Sequence, residues 1–283
     1  MKPITYATAQ ILRVLPRTRI TRAMGRLADV QWPAPVGKAV LELYCRHYDV
    51  DFAECRKSTG FASFDEFFTR ELREDARAMP DAPRIAISPA DGRIDSIGPV
   101  DGRTFTVKGR PYRVSELVGD ETEAKRYEGG TGCVVYLSPR DYHRVHSPVK
   151  GTITEVRSMP GDYYPVNELG VNYVHNLFVR NRRVAICIDT PPESGFGRVT
   201  VVMVAAMVVG RITVTGIDAR DVPEGLHRYA PAHGVERGDE IGIFRLGSTA
   251  VVFFEKGVKG EWLVGEGPVR FGAPFLREQG SRG

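Results

Sequence analysis

Polar and apolar positions divide the chain into two unlike parts. Up to about residue 75 the apolar residues recur at helical intervals. Ile20, Met24 and Leu27 fall at i, i+4 and i+7 with Arg19, Arg22 and Arg26 around them, and Pro16 separates this segment from the one before it. Val36, Val40, Leu43, Tyr44 and His47 form a second stripe. Ser63-x-x-Glu66 has the form of a capping box, in which hydroxyl and carboxylate satisfy the free N–H groups of a first turn. It opens a third helix carrying Phe64, Phe67, Phe68 and Leu72.

From about residue 80 the period shortens. Runs rich in Val, Ile and Tyr alternate with Gly, Pro and Asp turns: Arg93 to Ile97, Thr104 to Val107, Cys133 to Leu137, Gly151 to Val156, Val184 to Ile188 and Val199 to Val209. The pattern predicts an α+β protein, with an N-terminal helical region over 1–78 and a large, mostly antiparallel, β-rich domain over 79–283, sandwich-like or barrel-like. The polar stretch Arg73 to Arg84 is the expected boundary. Ser88-Pro89-Ala90-Asp91-Gly92-Arg93-Ile94 and Ser147-Pro148-Val149-Lys150-Gly151-Thr152-Ile153 share the form Ser-Pro-x-x-Gly-x-Ile, a turn feeding a strand, which suggests two related β units packed together.

Composition narrows the class. At 283 residues, with 42% hydrophobic and 26% charged residues, the chain can bury a large core. A net charge of +4 is too mild to imply a nucleic-acid partner. The cations are unevenly placed: Lys2, Arg13, Arg17, Arg19, Arg22 and Arg26 all precede the first acidic residue, Asp29. Cys45, Cys55, Cys133 and Cys187 have neither zinc-like nor C-x-x-C spacing, so reduced thiols in a cytosolic setting are expected and no metal site is predicted. The N-terminus lacks the apolar core of a secretory signal. The most apolar run, Val201 to Val209, is bounded by Arg198 and Arg211 and falls short of the roughly 20 residues that span a bilayer, so it reads as a buried strand.

Three places carry candidate chemistry. Asp91 is the residue type of a turn, and also the type that orients a histidine base. His143 and His146 lie in Leu137-Ser138-Pro139-Arg140-Asp141-Tyr142-His143-Arg144-Val145-His146. Ser138 as cap, Pro139 and Asp141 suit a short helical start, and a turn or bulge there would aim both imidazoles the same way. Leu246-Gly247-Ser248-Thr249 lies between two strand-like runs, Glu240 to Phe244 and Ala250 to Phe254. It is the composition of an ordinary hairpin turn. It is also a place where a serine hydroxyl can attack the preceding glycine carbonyl, given a base and an oxyanion donor. No Gly-x-Ser-x-Gly elbow surrounds Ser248, which weighs against an ordinary α/β-hydrolase.

Taken together these segments resemble the phosphatidylserine decarboxylases, pyruvoyl-dependent lipid enzymes. The resemblance rests on Ser88-Pro89-Ala90-Asp91-Gly92, on Tyr136-Leu137-Ser138-Pro139-Arg140-Asp141-Tyr142-His143-Arg144-Val145-His146, on Asn176-Leu177-Phe178-Val179-Arg180-Asn181, and on Gly238-Asp239-Glu240-Ile241-Gly242 leading into Leu246-Gly247-Ser248-Thr249. Phe64-Asp65-Glu66-Phe67-Phe68-Thr69-Arg70 looks like the bacterial form, and the resemblance covers nearly the whole chain. It implies self-cleavage between Gly247 and Ser248 into a long chain, 1–247, and a short chain, 248–283. Ser248 would become a covalent pyruvoyl group, activated through His146 and Asp91, with His143 serving the decarboxylation step. Asp141, Tyr136, Leu246 and Thr249 would support or bind substrate. It further implies phosphatidylserine as substrate and phosphatidylethanolamine and CO2 as products. The chain would act as a homodimer bound peripherally to the anionic cytoplasmic face of the cell membrane, with the N-terminal arginines toward the lipid.

Three other readings compete. A histidine phosphocarrier-like sandwich predicts an uncut chain phosphorylated on His143 or His146. A serine hydrolase predicts acylation of Ser248 with an intact backbone. A pyruvoyl decarboxylase of a soluble amino acid predicts no vesicle binding.

Overall fold

The computed structural model describes residues 16–207, 210–245, 248–258 and 260–280. Three helices open it: α1 (Arg17–Asp29), α2 (Ala34–Tyr48) and α3 (Phe64–Phe68). Pro16 caps α1, and the Ser63 hydroxyl accepts from the Glu66 N–H at 3.2 Å at the start of α3. Glu66 reaches back one residue further than a capping box requires, to the Ala62 N–H at 2.5 Å. The face of α1 that packs inward is not its most apolar stripe. Arg17, Thr21, Gly25 and Ala28 are buried, whereas Met24 and Leu27 are exposed. The small residues bring the helix against Gly210 and Arg211, where a Cβ atom on Gly210 would lie 2.6 Å from the Thr21 side chain, and the larger apolar residues are left outward.

Sixteen strands follow: β1 (Ile85–Ile87), β2 (Gly92–Asp101), β3 (Thr104–Val107), β4 (Arg110–Arg113), β5 (Thr131–Leu137), β6 (Arg144–His146), β7 (Gly151–Met159), β8 (Arg183–Asp189), β9 (Arg198–Ala205), β10 (Arg211–Val214), β11 (Gly225–Val235), β12 (Glu240–Arg245), β13 (Ser248–Phe254), β14 (Gly260–Trp262), β15 (Gly267–Val269) and β16 (Pro274–Glu278). Nine form an antiparallel path in the order β11-β7-β8-β9-β13-β5-β2-β3-β4, and β15 pairs with β2 to complete a ten-stranded sheet that does not close into a barrel. Two three-stranded sheets, β1-β16-β14 and β10-β12-β6, accompany it. The strands expected from the pattern are present. The Val199 to Val209 run forms β9 as far as Ala205.

The central strands are apolar on both faces because both faces are covered. In β13, Ala250, Val252 and Phe254 join one core and Val251 and Phe253 the other. The second core also takes in Ala28, Phe67 and Phe68, so the helical region shares a core with the sheet.

The repeated Ser-Pro-x-x-Gly-x-Ile is a repeated structure. The Ser88 hydroxyl donates to the Ala90 carbonyl at 2.9 Å, and the Ser147 hydroxyl to the Val149 carbonyl at 2.6 Å. The two turns also grip each other: the Ile87 N–H donates to the Pro148 carbonyl at 2.9 Å and the His146 N–H to the Pro89 carbonyl at 2.8 Å. Each turn launches a strand through its glycine. At Gly92, with φ of +151°, a Cβ atom would lie 2.2 Å from the Tyr136 carbonyl oxygen.

That contact makes Gly92→Ala a sharp test of the β2–β5 register. Replacement adds a clash with backbone to a conformation that side chains rarely adopt, and is expected to cost at least about 1–3 kcal/mol. Urea unfolding of the full chain measures it, and a variant as stable as wild type would contradict the packing described.

Candidate active site

The strand-to-strand link at Ser248 is not a hairpin. β12 pairs with β10 and β6, whereas β13 pairs with β5 and β9, so the chain changes sheets between Arg245 and Ser248. Leu246 and Gly247, half of the expected cleavage motif, lie outside the described residues. Ser248 heads β13, its backbone registered against Leu137 on one side and Ala205 on the other. Thr249 takes the next rung with Tyr136 and Val204. Its hydroxyl is buried and finds no hydrogen-bond partner among the described residues.

The cross-gripped turns place Asp91 and His146 in one neighbourhood, but each is held by other groups. The Asp91 carboxylate accepts from Arg77 Nη2 at 2.8 Å and from the Phe271 N–H at 2.7 Å. Burial raises its pKa against the pull of Arg77. His146 Nδ1 lies 2.7 Å from the Gly238 carbonyl, which can only accept, so Nδ1 carries the proton. Nε2 then accepts from the Tyr142 hydroxyl at 3.0 Å. The imidazole stacks on Phe271 at 3.7 Å, and burial pushes its pKa down to about 4. Phe271 thus touches both residues, ring to His146 and backbone to Asp91. The acceptor that orients the His146 Nδ1–H, expected to be Asp91, is the Gly238 carbonyl.

His143 occupies a different environment, so the two imidazoles do not share one aim. It is fully buried against Phe68, 4.0 Å between ring centroids, and neither ring nitrogen has a hydrogen-bond partner among the described residues. Burial, reinforced by nearby Arg70, lowers its pKa well below the usual value, so the ring is neutral. The segment before it is a turn rather than a helix start. Asp141 closes that turn by accepting from the Ser138 N–H at 2.6 Å and hydroxyl at 2.7 Å. Arg70 Nη2 ties it down through the Arg140 carbonyl at 2.8 Å and the Asp141 carbonyl at 3.2 Å.

An apolar cavity of about 470 Å³ opens between the helices and the end of β5, lined by residues including Met24, Leu27, Tyr44, Phe68, Tyr136 and Leu137. Leu137 is the residue registered with Ser248, so the cavity wall adjoins the head of β13.

Two supporting residues escaped the sequence reading. Arg77 lies in the stretch taken as a boundary, yet its side chain is largely covered and bridges Asp91, at 2.8 Å, to Glu54, at 2.9 Å. Nothing in its local pattern distinguishes it from a solvated arginine. Asn181, in the Asn-Leu-Phe-Val-Arg-Asn run, is fully buried. Its amide donates to the Tyr164 and Ala205 carbonyls, each at 2.8 Å, and accepts from the Tyr164 N–H at 2.8 Å. It therefore fixes the backbone of the residue registered with Ser248. Its signal was present in that motif but carried no role.

Replacing Asn181 by Ala leaves buried backbone groups unpaired at about 1–3 kcal/mol each, so a loss of several kcal/mol is expected in urea unfolding. A loss below about 1 kcal/mol would show that water replaces the amide.

The lowered histidines also set a pH dependence. Between about pH 6.5 and 4 the unfolded chain binds a proton at His146 that the folded chain does not, so stability is intact above that window and falls as pH drops through it. His143 acts in the same sense and the raised Asp91 carboxyl in the opposite one. The His146 share is about 2 kcal/mol at pH 5. His146→Gln should flatten the stability profile between pH 7 and pH 5, and an unchanged slope would contradict the assignment.

Comparison with known proteins assigns the family. The phosphatidylserine decarboxylase family profile matches residues 64–277. Proteins named phosphatidylserine decarboxylase proenzyme are similar over most of their length. That of Myxococcus xanthus is 37% identical over 251 residues, 87% of this chain and 88% of the relative. That of Bordetella avium is 39% identical over 274 residues, 91% and 90%. That of Azotobacter vinelandii is 38% identical over 252 residues, 85% and 86%. With its strand-switched Ser248, its two buried neutral imidazoles and this similarity, the chain is an enzyme that belongs to the phosphatidylserine decarboxylase family.

Proposed function

We propose that the chain cuts its own backbone between Gly247 and Ser248 and uses the pyruvoyl group left at residue 248 to convert phosphatidylserine to phosphatidylethanolamine and CO2. The observation that carries this reading is the register of Ser248 with Leu137, which sets residue 248 beside the apolar cavity. A cavity of about 470 Å³ with mostly apolar walls suits the glycerol and acyl region of a lipid better than a soluble amino acid.

Self-cleavage needs a base. His146 is neutral, its Nδ1 proton is held by the Gly238 carbonyl, and its Nε2 lone pair becomes free once Tyr142 turns aside. On this reading Nε2 takes the Ser248 hydroxyl proton as the oxygen attacks the Gly247 carbonyl carbon, and the amide becomes an ester. Loss of the Ser248 α-proton expels the Gly247 carboxylate and leaves dehydroalanine. Hydrolysis then releases ammonia and leaves the ketone. Asp91 acts at one remove, holding Phe271, on which His146 stacks. The residues present suit a pyruvoyl group: Ser248 is its source, and Thr249 and His143 offer buried polar atoms without partners among the described residues. When formed, the ketone would supply an electron sink for the pair left on the substrate carbon as CO2 departs. His143, neutral and enclosed, would hold the proton returned to the carbon.

The same reading puts the chain on the anionic cytoplasmic face of the cell membrane. Its support is the outward Met24, Leu27, Val36 and Leu43, the last 69% exposed, together with exposed Arg19, Arg22 and Arg26 on α1.

Intact mass spectrometry of wild type and Ser248→Ala tests the proposal. Wild type should give two fragments divided at 247/248, the shorter carrying a pyruvoyl mass, and should release CO2 from phosphatidylserine vesicles. Ser248→Ala should stay whole and inactive. An uncut wild-type chain with unmodified Ser248 sinks the reading, and phosphorylation of a histidine or acylation of Ser248 would install one of its competitors.

A further inference from the structure

Asp65 is an unusual carboxylate. It lies on α3, is 5% exposed along its side chain, and collects three arginines from distant parts of the chain. Arg211, from β10, approaches Oδ1 at 3.5 Å, and Arg220, from the turn after β10, meets Oδ2 at 2.8 Å. Arg245, the last residue of β12, also pairs with Oδ2. Asp29, at the end of α1, shares two of these cations, meeting Arg211 and Arg220 at 2.6 Å each, but none of its ion pairs is with Arg245.

Arg245 matters because of where the chain goes next. Only Leu246 and Gly247 join it to Ser248. Downstream, Ser248 is held by β5 and β9 in the large sheet. Upstream, β12 belongs to the smaller sheet, and Arg245 is its terminal rung, opposite Arg211. The bond expected to break is therefore suspended between two separately anchored ends.

Resting on the self-cleavage reading above, we infer that Asp65 is a positioning residue for that reaction, fixing the upstream end of the scissile segment through its ion pair with Arg245. Without the Asp65 charge, Arg245 keeps one neutral partner, the Thr213 hydroxyl at 3.0 Å, and faces Arg211 and Arg220. Burial and those two arginines already push its guanidinium pKa down, against the pull of Asp65. A partly buried cation so placed turns outward and releases the end of β12, three positions before Ser248, while Ser248 stays in its ladder. The same helix carries Phe68, the ring that packs on His143, so α3 is a common mount for the segment before the cut and for a candidate proton carrier. A displacement of about 1 Å in a reacting pair can cost on the order of 100-fold in rate.

The experiment is a time course of chain cleavage after cell-free synthesis of the full-length protein, read on gels, with the unfolding midpoint of each variant measured alongside. Asp65→Asn should slow cleavage by about 100-fold. Asp65→Glu, which keeps the charge, should recover part of the rate. Arg245→Gln should reproduce the slow cleavage, and combining it with Asp65→Asn should add little, since both remove one tie. Asp29→Asn weakens the same arginine cluster but removes no ion pair of Arg245, on which Asp29 acts only at longer range, and should cut at close to the wild-type rate.

Asp65→Asn cutting as fast as wild type overturns the inference, as does a rate that follows the unfolding midpoint equally in Asp29→Asn and Asp65→Asn. If Asp65→Asn does not fold, Arg245→Gln decides: normal cleavage overturns, slow cleavage supports. A wild-type chain that never cuts overturns the self-cleavage reading first and this inference with it, whereas a normally cut Asp65→Asn overturns this inference alone.

Discussion

Two backbone hydrogen bonds, exchanged between the Ser-Pro turns at 88 and 147, set the geometry of the region. Each turn donates from the residue before its serine to the proline carbonyl of the other. The exchange brings the start of β2 beside the end of β6, although their sequence positions are far apart. Asp91 follows one turn and His146 precedes the other, so their shared neighbourhood is set by backbone, independently of any bond between the side chains. Phe271 then fills the space between them, bonded to one and stacked on the other. The tight glycines complete the device, because β2 and β7 can start only where no side chain intervenes.

Much of this was legible in the chain. The apolar runs at 199–205 and 250–254 announce strands buried on both faces. The Ser63 cap and the repeated Ser-Pro turns are local devices, and local devices leave local signatures. What the sequence did not disclose is long-range. The run Leu246 to Thr249 reads as a hairpin because strand, glycine and strand follow in order. Only the pairing of β13 with β5 and β9, and of β12 with β10 and β6, shows that the chain changes sheets there. Arg77 and Gly238 are equally silent, since a lone arginine and a backbone carbonyl carry no pattern.

Helix α1 is a different case. Its apolar stripe suits either the β domain or a lipid surface, and the sequence does not choose between them. In the structure Thr21, Gly25 and Ala28 are buried instead, with the Thr21 side chain against Gly210 and Gly25 against the Arg211 side chain. Hydrophobic periodicity locates a helix well, but it ranks faces by apolarity, and a surface helix that meets a lipid can have its most apolar face outward. Met24 and Leu27 are exposed and line the cavity that adjoins Ser248, the face that the proposed membrane-bound state would turn to the lipid.

The position of β13 in the middle of the large sheet has a consequence for the life history of the molecule. In the uncut chain, β13 finds its place between β5 and β9 while tethered to the rest, so its arrival is an intramolecular loop closure. A cut before Ser248 removes that tether, yet leaves β13 zipped on both edges, with β15 on β2 and β16 on β1. The two pieces would separate only if the sheet opened through its centre, and once separated they would have to meet again at whatever concentration the solution offers. A chain cut in the way proposed would be assembled once. Its persistence would then be a matter of how slowly it opens, with no route back by folding alone.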